Sequence, residues 1–257
     1  MTAFIIIKHY LKRAFMNQVE IALMTLLPVG IIVLTMFLNM EFMTGEEGAQ
    51  FLWNGYDLIN TGNVHNIMVM FMFMSGAYAG EWYFKDMRGV NRWRLNATPV
   101  ASFKFLLGAI SGGFLFSSLT GGFVLAVGYF FMDMYLGNLA VVIAVLFLIV
   151  LMSQFIGICV AVFAKTTGAI NGVMMALSFA MASMAGAFFI PIPMPQFVVR
   201  YILPYGVSLF ALRGGGQPIT DVVGSGFSDS LLHLGILTGM TVVSGIAALI
   251  LVRRRPA

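Results

Sequence analysis

Residues 139–164 read LAVVIAVLFLIVLMSQFIGICVAVFA, a run without a single charged side chain. A helix needs about 20 mostly apolar residues to cross the hydrocarbon core of a bilayer. Similar runs recur along the chain, which is 60% hydrophobic and only 9% charged, whereas soluble domains carry about 25% charged residues. A soluble fold has no means of hiding so much apolar surface, so the sequence predicts an all-α integral membrane protein.

Six segments are predicted to cross the membrane, separated by polar or Gly- and Pro-rich connections. They cover residues 19–40, 64–84, 105–131, 139–164, 169–190 and 231–252. The chain has 257 residues, a length that suits a single transmembrane domain over residues 1–257.

The N-terminal residues predict an amphipathic helix along the membrane surface. At 100° per residue, one face carries Lys8, His9, Lys12 and Arg13, and the opposite face is apolar. Four polar residues within six would be costly inside lipid, so we expect an interfacial helix before the first span. The alternative is that this segment simply begins the first span.

The basic residues predict the orientation of the chain. With the N-terminus inside, all but two of the 14 Lys and Arg residues fall in cytoplasmic segments; the exceptions are Arg200 and Arg213. The positive-inside rule then places both termini in the cytoplasm. This bias also accounts for the formal net charge of +4, so we expect lipid around the chain and no nucleic-acid partner.

Several catalytic motifs are absent from the sequence. No Gly precedes a Lys, which excludes a Walker phosphate loop, and no Glu follows a His, which excludes an H-E-x-x-H zinc site. We therefore expect no enzyme, no catalytic residue, no metal and no cofactor in this chain. The acids predicted within spans, Glu20 and Glu81, lie near the cytoplasmic ends, which disfavours a proton-driven carrier.

The most informative loop runs from Glu81 to Ser102 and reads EWYFKDMRGVNRWRLNATPVAS. It resembles the cytoplasmic loop of type-2 ATP-binding-cassette (ABC) export permeases. The resemblance is carried by an acidic end of the second span, a charged stretch with Gly, a short helix with Arg and Leu, and a small-residue–Pro–Val turn: Glu81, Asp86, Gly89, Arg92, Leu95 and Ala97–Val100. Val90 stands where that family usually has Thr.

In that family the loop forms a coupling helix that docks in a separate ATPase. The resemblance implies this role for Glu81, Asp86, Arg88, Gly89, Arg92, Leu95 and Pro99. The spacing agrees, because two Arg residues four apart share one helical face. The alternative is that these Arg residues only obey the positive-inside rule and contact lipid phosphates.

A Pro-rich segment predicts a hairpin before the last span. Prolines at alternate positions do not fit a helix interior, and the apolar stretch after them is too short to cross the membrane and return. The segment is similar to the re-entrant hairpin of the same family, which consists of two short helices in the outer leaflet. The residues assigned to it are Pro191, Pro193, Pro195, Pro204 and Arg213, with Phe197 where the family often has Trp. The alternative is an extended surface loop.

Polar and Met side chains within the spans are candidates for a transport path. They are Gln154, Asn171, Met174 and Met181. The alternatives are hydrogen bonds between helices for the amides and contacts with lipid or neighbouring helices for Met. Two G-x-x-x-G pairs, Gly108/Gly112 and Gly168/Gly172, mark close helix packing, either within the chain or in a dimer.

The resemblance implies the transmembrane subunit of an ABC exporter in a bacterial-type cell membrane. Its substrate would be hydrophobic or amphipathic: a drug, an antimicrobial peptide or a lipid-linked molecule. A second permease subunit, identical or paralogous, would complete the path, and a separate ATPase would bind ATP and Mg. The alternative is a membrane scaffold or assembly factor without a transport path.

Overall fold

The computed structural model covers residues 2–16, 22–34, 64–87, 102–131, 138–185, 194–214 and 227–254. Within these residues the helices are α1 Thr2–Met16, α2 over residues 22–34, α3 over residues 64–74, α4 Gly76–Met87, α5 Ser102–Phe131, α6 Leu139–Phe163, α7 Thr167–Met184, α8 Gln196–Tyr201, α9 Pro204–Gly214 and α10 Phe227–Arg254. The first turn of α2, Ala22–Leu26, is π-helical. The predicted all-α fold class is confirmed over these ranges.

Four helices of the described part are long and apolar enough to cross a bilayer. They cover Phe103–Phe131, Leu139–Phe163, Thr167–Met184 and Ser228–Arg254. Each coincides with one of the last four predicted spans. Their length and composition indicate a multi-pass membrane protein.

The first two predicted spans are only partly represented. Of the span predicted over residues 19–40, the structure describes the helical residues 22–34. The span predicted over residues 64–84 corresponds to α3 and α4, which are separated at Ser75. Neither α3 nor α4 alone has the ~20 residues that a crossing requires, so the six-span arrangement stays a prediction.

Two hydrogen bonds to the Ser75 carbonyl mark the break between α3 and α4. The Tyr78 N–H donates to the Ser75 carbonyl over 3.0 Å, a bond that closes three residues rather than four. Gln154 Nε2, on α6, donates to the same carbonyl over 3.4 Å. A side chain that enters the hydrogen-bond ladder of a helix is an established cause of kinks.

Side-chain caps fix where α6 and α7 begin. The Asn138 side-chain oxygen accepts from the Ala140 N–H over 3.1 Å, and Thr166 Oγ1 accepts from the Ala169 N–H over 3.2 Å. Asn and Thr are favoured at this position because they satisfy N–H groups that lack a partner within the helix. The short turn around Thr166 therefore makes α6 and α7 consecutive neighbours.

Helix α6 is the centre of the described helices. It contacts α4, α5, α7, α9 and α10, and its most apolar stretch is 50% buried, compared with 22% for α7 and for α10. Val145, Ile149 and Ile158 on α6 are fully buried. A helix that is apolar on all sides is suited to this central position.

Glycine residues allow α4 and α6 to cross with their backbones in contact. A Cβ added to Gly76 would lie 2.0 Å from the Ser153 carbonyl oxygen, and one added to Gly157 would lie 1.8 Å from the Gly76 carbonyl oxygen. Gly80 approaches Gly157 in the same way. Gly76 and Gly80 therefore form a small-residue pair of the G-x-x-x-G type, at a site that the sequence analysis did not select.

The two pairs selected from sequence behave differently. Gly112 packs closely, because an added Cβ would lie 2.6 Å from Tyr10 Cβ on α1. Around Gly172 no atom of the described residues lies within 4 Å of an added Cβ, and Gly168 and Gly172 are both exposed. The pair on α5 thus packs within the chain, whereas the pair on α7 faces away from the described helices.

Helix α1 packs along α5 as an amphipathic helix. Tyr10 and Ala14 are buried, whereas Lys8, His9 and Lys12 are exposed. The Phe15 side chain is about half exposed, and its ring packs edge-to-face against the Phe116 ring with the ring centres 5.7 Å apart. Exposed apolar and basic groups on one helix agree with the interfacial position predicted for α1. That position stays a prediction.

Candidate coupling and pathway site

Asp86 joins the end of α4 to the amphipathic helix α1. It accepts hydrogen bonds from the Tyr10 hydroxyl and, over 3.2 Å, from Arg13 Nη1. The Tyr10 ring stacks on Trp82 with their centroids 5.7 Å apart. Two hydrogen bonds and a ring contact therefore hold α1 against the last turns of α4.

Tyr10 is a permanent donor in this contact. Burial raises the pKa of its hydroxyl above the ordinary value, and the negative charge of Asp86 and their hydrogen bond raise it further. Tyrosine already ionises only near pH ~10 in water. Tyr10 consequently stays neutral and keeps donating to Asp86 over the whole physiological range.

Glu81 joins the same part of α4 to α7. It pairs with Lys85 one turn later on α4, and its Oε2 accepts from Asn171 Nδ2 over 3.4 Å. The Glu81 side chain is almost buried, at 11% exposure, whereas Lys85 is 43% exposed. The carboxylate of Glu81 thus faces partners of its own chain.

Both acids assigned to coupling are therefore engaged within the chain, on opposite sides of α4. The remaining coupling residues lie outside the described residues; they are Arg88, Gly89, Arg92, Leu95 and Pro99. The described chain stops at Met87, one residue before Arg88. The structure thus shows how the start of the predicted coupling loop is anchored, and the docking role of the loop stays a prediction.

Gln154 lies at the centre of the helices, fully buried. Its Nε2 reaches the Ser75 carbonyl, Ser75 Oγ at 3.3 Å and Ser117 Oγ at 3.4 Å. Its Oε1 is buried without a hydrogen-bond partner among the described residues, and a Cβ at Gly113 would come within 2.3 Å of it. Gln154 thus joins α6 to α5 and to the break between α3 and α4, which agrees with the alternative of hydrogen bonds between helices.

The other pathway candidates lie on α7. Met174 is fully buried against α4, where its methyl group would be 2.9 Å from a Cβ added to Gly76. Met181 is also buried, and Asn171 is exposed except for its contact with Glu81. The structure therefore brings Gln154 and Met174 to the α4 crossing, but it shows no substrate and leaves the pathway role a prediction.

The predicted hairpin contains two short helices, α8 and α9. Pro195 precedes α8 and its carbonyl accepts from the Val198 N–H over 2.9 Å. Pro204 is the first residue of α9, where a missing N–H costs nothing because that position has no partner within the helix. Gly206 brings the two helices together, since an added Cβ would lie 2.1 Å from the Val199 carbonyl oxygen.

Contacts from α9 hold the hairpin against other helices. The Tyr205 hydroxyl donates to the Asn66 carbonyl over 2.6 Å, and Ser230 Oγ of α10 donates to the Ala211 carbonyl over 3.0 Å. Residues 196–214 are thus packed helices rather than an extended loop. Pro191 and Pro193 lie outside the described residues, Arg213 is in the last turn of α9, and the depth of the hairpin in a membrane stays a prediction.

A cationic and aromatic cluster connects the hairpin to α10, and the sequence analysis missed it. Arg200 Nη2 donates to Asp229 Oδ2 over 3.1 Å, and its guanidinium lies 5.4 Å from the Tyr201 ring centre and 5.5 Å from that of Phe210. His233 stacks against both rings, at 5.7 and 5.6 Å. The available signal was Arg200, an isolated cation on the predicted outer side, with Asp229 just before the last predicted span.

Comparison with known proteins identifies no family for the chain. No family model, no curated protein and no solved structure matches it. What the observations establish is a helical protein with four helices, in its described part, that are able by length and composition to cross a membrane.

Proposed function

We propose that the chain is the transmembrane subunit of an ABC exporter that moves a hydrophobic or amphipathic substrate. Two such subunits, identical or paralogous, enclose the path, and two separate ATPase chains bind ATP and Mg on the cytoplasmic side. The chain crosses the membrane six times and keeps both termini in the cytoplasm. The observation that carries the proposal is the anchoring of α4 on both sides by Asp86 and Glu81.

A permease without its own nucleotide site must receive force from a partner through a rigid connection. Met87 ends α4, and the basic loop with Arg88 and Arg92 follows directly. Because Asp86 holds α1 and Glu81 contacts α7, a push on this loop acts on three helices at once. A scaffold protein does not need a rigid connection at the start of a cytoplasmic loop.

The order of elements also supports the proposal. An amphipathic helix comes first, a basic loop follows α4, and two short helices precede the last candidate span. The family that the Glu81–Ser102 loop resembles has the same order of elements. The substrate class rests on that resemblance alone.

The proposal is tested by charge reversal in the predicted coupling loop. The double variant Arg88→Glu/Arg92→Glu should insert normally but lose the co-purifying ATPase and the resistance that export confers. Truncating one partner of a buried charged contact typically costs about 2–5 kcal/mol, whereas a single Lys or Arg near anionic lipid contributes about 1 kcal/mol. The measurement is ATP hydrolysis and subunit stoichiometry of the complex purified from native membranes.

A matched control is Arg253→Glu/Arg254→Glu, two charge reversals at the exposed end of α10. It should keep the ATPase, because it changes the cytoplasmic charge equally but lies outside the loop. If the loop variant inserts at normal levels and keeps full association and export, the coupling role is wrong. An absence of any ATPase from the wild-type complex would favour the scaffold alternative.

A further inference from the structure

Helix α1 lines a cavity of about 510 Å³. The described residues that line it are His9, Lys12, Arg13 and Met16. They are spaced three and four residues apart, so they share one face of the helix. The cavity therefore combines cationic groups with an apolar side chain at its end.

The positive charge of this cavity is only partly neutralised by the described residues. Arg13 donates to Asp86 through Nη1, which leaves the other N–H groups of its guanidinium, since Arg carries five. Lys12 is exposed, and none of the described carboxylates pairs with it. Among the described residues, Lys12 and Arg13 thus offer N–H donors to an anion, and the Asp86 carboxylate offsets only one of their two positive charges.

Apolar surface lies beside these cations. Met16 is 70% exposed, and Ile5 and Phe15 on the same helix are more than half exposed. Helix α1 packs on α5, whose residues Phe103–Phe131 form a candidate span. Basic and apolar groups together at the edge of a span are typical of a helix that contacts acyl chains and anionic headgroups.

We propose that this cavity binds the phosphate group of an anionic phospholipid. Lys12 and Arg13 donate to the phosphate oxygens, and Met16 contacts the first part of an acyl chain. A free phosphate has the same headgroup chemistry but makes no use of the apolar side chains, so we commit to the lipid. The proposal does not depend on the transport function.

The test uses the purified full-length chain in a zwitterionic detergent, with short-chain phosphatidylglycerol as the probe and native mass spectrometry as the readout. Phosphatidylglycerol should bind more tightly than phosphatidylcholine of the same chain length. Lys12→Gln should weaken phosphatidylglycerol binding about fivefold, the usual contribution of one Lys near anionic lipid. Lys12→Arg should restore it.

Lys8→Gln is the matched control, because Lys8 is an exposed Lys one turn earlier on α1 that does not line the cavity. It should change binding less than about twofold, since attraction to a charge outside the site is weakened by screening. Equal losses in Lys8→Gln and Lys12→Gln would mean diffuse attraction and would overturn the site. Equal binding of the two lipids would also overturn it, as would inorganic phosphate that displaces the lipid at similar concentration.

Discussion

At the scale of single residues, Tyr10 does two things with one side chain. Its ring packs on Trp82 and its hydroxyl donates to Asp86. Its Cβ leaves no room for a side chain at Gly112. The hydroxyl is buried, so the contact is shielded from water and its energy is larger than that of a surface pair. A substitution at Tyr10 is therefore the best test of how much these contacts stabilise the docking of α1.

Tyr10→Phe removes the hydroxyl and keeps the ring. Near neutral pH the variant should be less stable by about 1.5–3 kcal/mol, the range for a hydrogen bond to a charged group. Because the folded protein raises the pKa of Tyr10, the unfolded chain ionises first when the pH rises above about 10. The stability that the hydroxyl provides is therefore present below that pH and lost above it.

The measurement is thermal unfolding of both proteins in detergent from neutral to alkaline pH. The difference between wild type and Tyr10→Phe should narrow above pH about 10. Tyr129→Phe, at a ring that is 50% exposed, should differ little from wild type throughout. A stability gap that stays constant with pH would contradict the role given to the hydroxyl.

Residue types were more predictable than residue partners. The pattern of the loop selected Glu81 and Asp86, but Asn171 lies 90 residues from Glu81, and Tyr10 lies 76 residues from Asp86. Such pairs form only when whole helices pack, and no local pattern encodes that event. The apolar face of α1 is predictable from the sequence and holds the buried Tyr10 ring, but the contact of the Tyr10 hydroxyl with Asp86 is not.

At the scale of helices, the α4–α6 crossing depends on the absence of side chains. Gly157→Ala would place a Cβ 1.8 Å from the Gly76 carbonyl oxygen, so the backbones would have to separate. Overpacking of this kind typically costs about 1–3 kcal/mol. We expect a lower unfolding temperature, measured in detergent by circular dichroism.

Gly172→Ala is the control for that variant. In the described part of the chain nothing lies within 4 Å of an added Cβ at Gly172, and Ala is favoured over Gly in helices by up to about 1 kcal/mol. The control should therefore be as stable as wild type or more so. A loss of stability in Gly172→Ala equal to that in Gly157→Ala would show that the crossing has no special role.

Long helices were predicted well because length and apolar composition suffice for them. The last four predicted spans agree with the observed helices to within a few residues, except at the end of α7. This helix ends at Met184 and the prediction extended to residue 190, but residues 186–193 are not described. The break at Ser75 was not predictable, because its cause is Gln154, 79 residues later. The G-x-x-x-G pattern of Gly76 and Gly80 is visible in the sequence, but their contact with Gly157 on another helix is not.

At the scale of the whole molecule, the number of crossings is the property to test. Single cysteines at Gly48, Gly89 and Ser225, in a Cys159→Ser background, should separate into two classes. With six spans, Gly48 and Ser225 react with an impermeant thiol reagent added outside, and Gly89 does not. If only the four long helices cross, positions 48 and 89 lie on the same side.

The background variant matters because Cys159 is the only cysteine in the chain. Intact cells and permeabilised cells provide the comparison, and the position-89 cysteine should react only after permeabilisation. Labelling of position 89 in intact cells would contradict the orientation. Equal labelling of positions 48 and 89 would contradict the six-span arrangement.

The glycine contact between α4 and α6 restricts how these helices are able to move. Moving α4 by one residue, about 1.5 Å along its axis and about 100° around it, would put the methyl group of Ala77 against the carbonyl that Gly76 now meets. A tilt of α4 about the contact keeps Gly76 against Gly157, so the two residues are suited to act as a pivot. Asp86 is ten residues away along α4, about 15 Å, so a tilt of roughly 10° would move it by about 2–3 Å. A small angular change at the centre of the protein would thus become a displacement at its edge large enough to exchange hydrogen-bond partners.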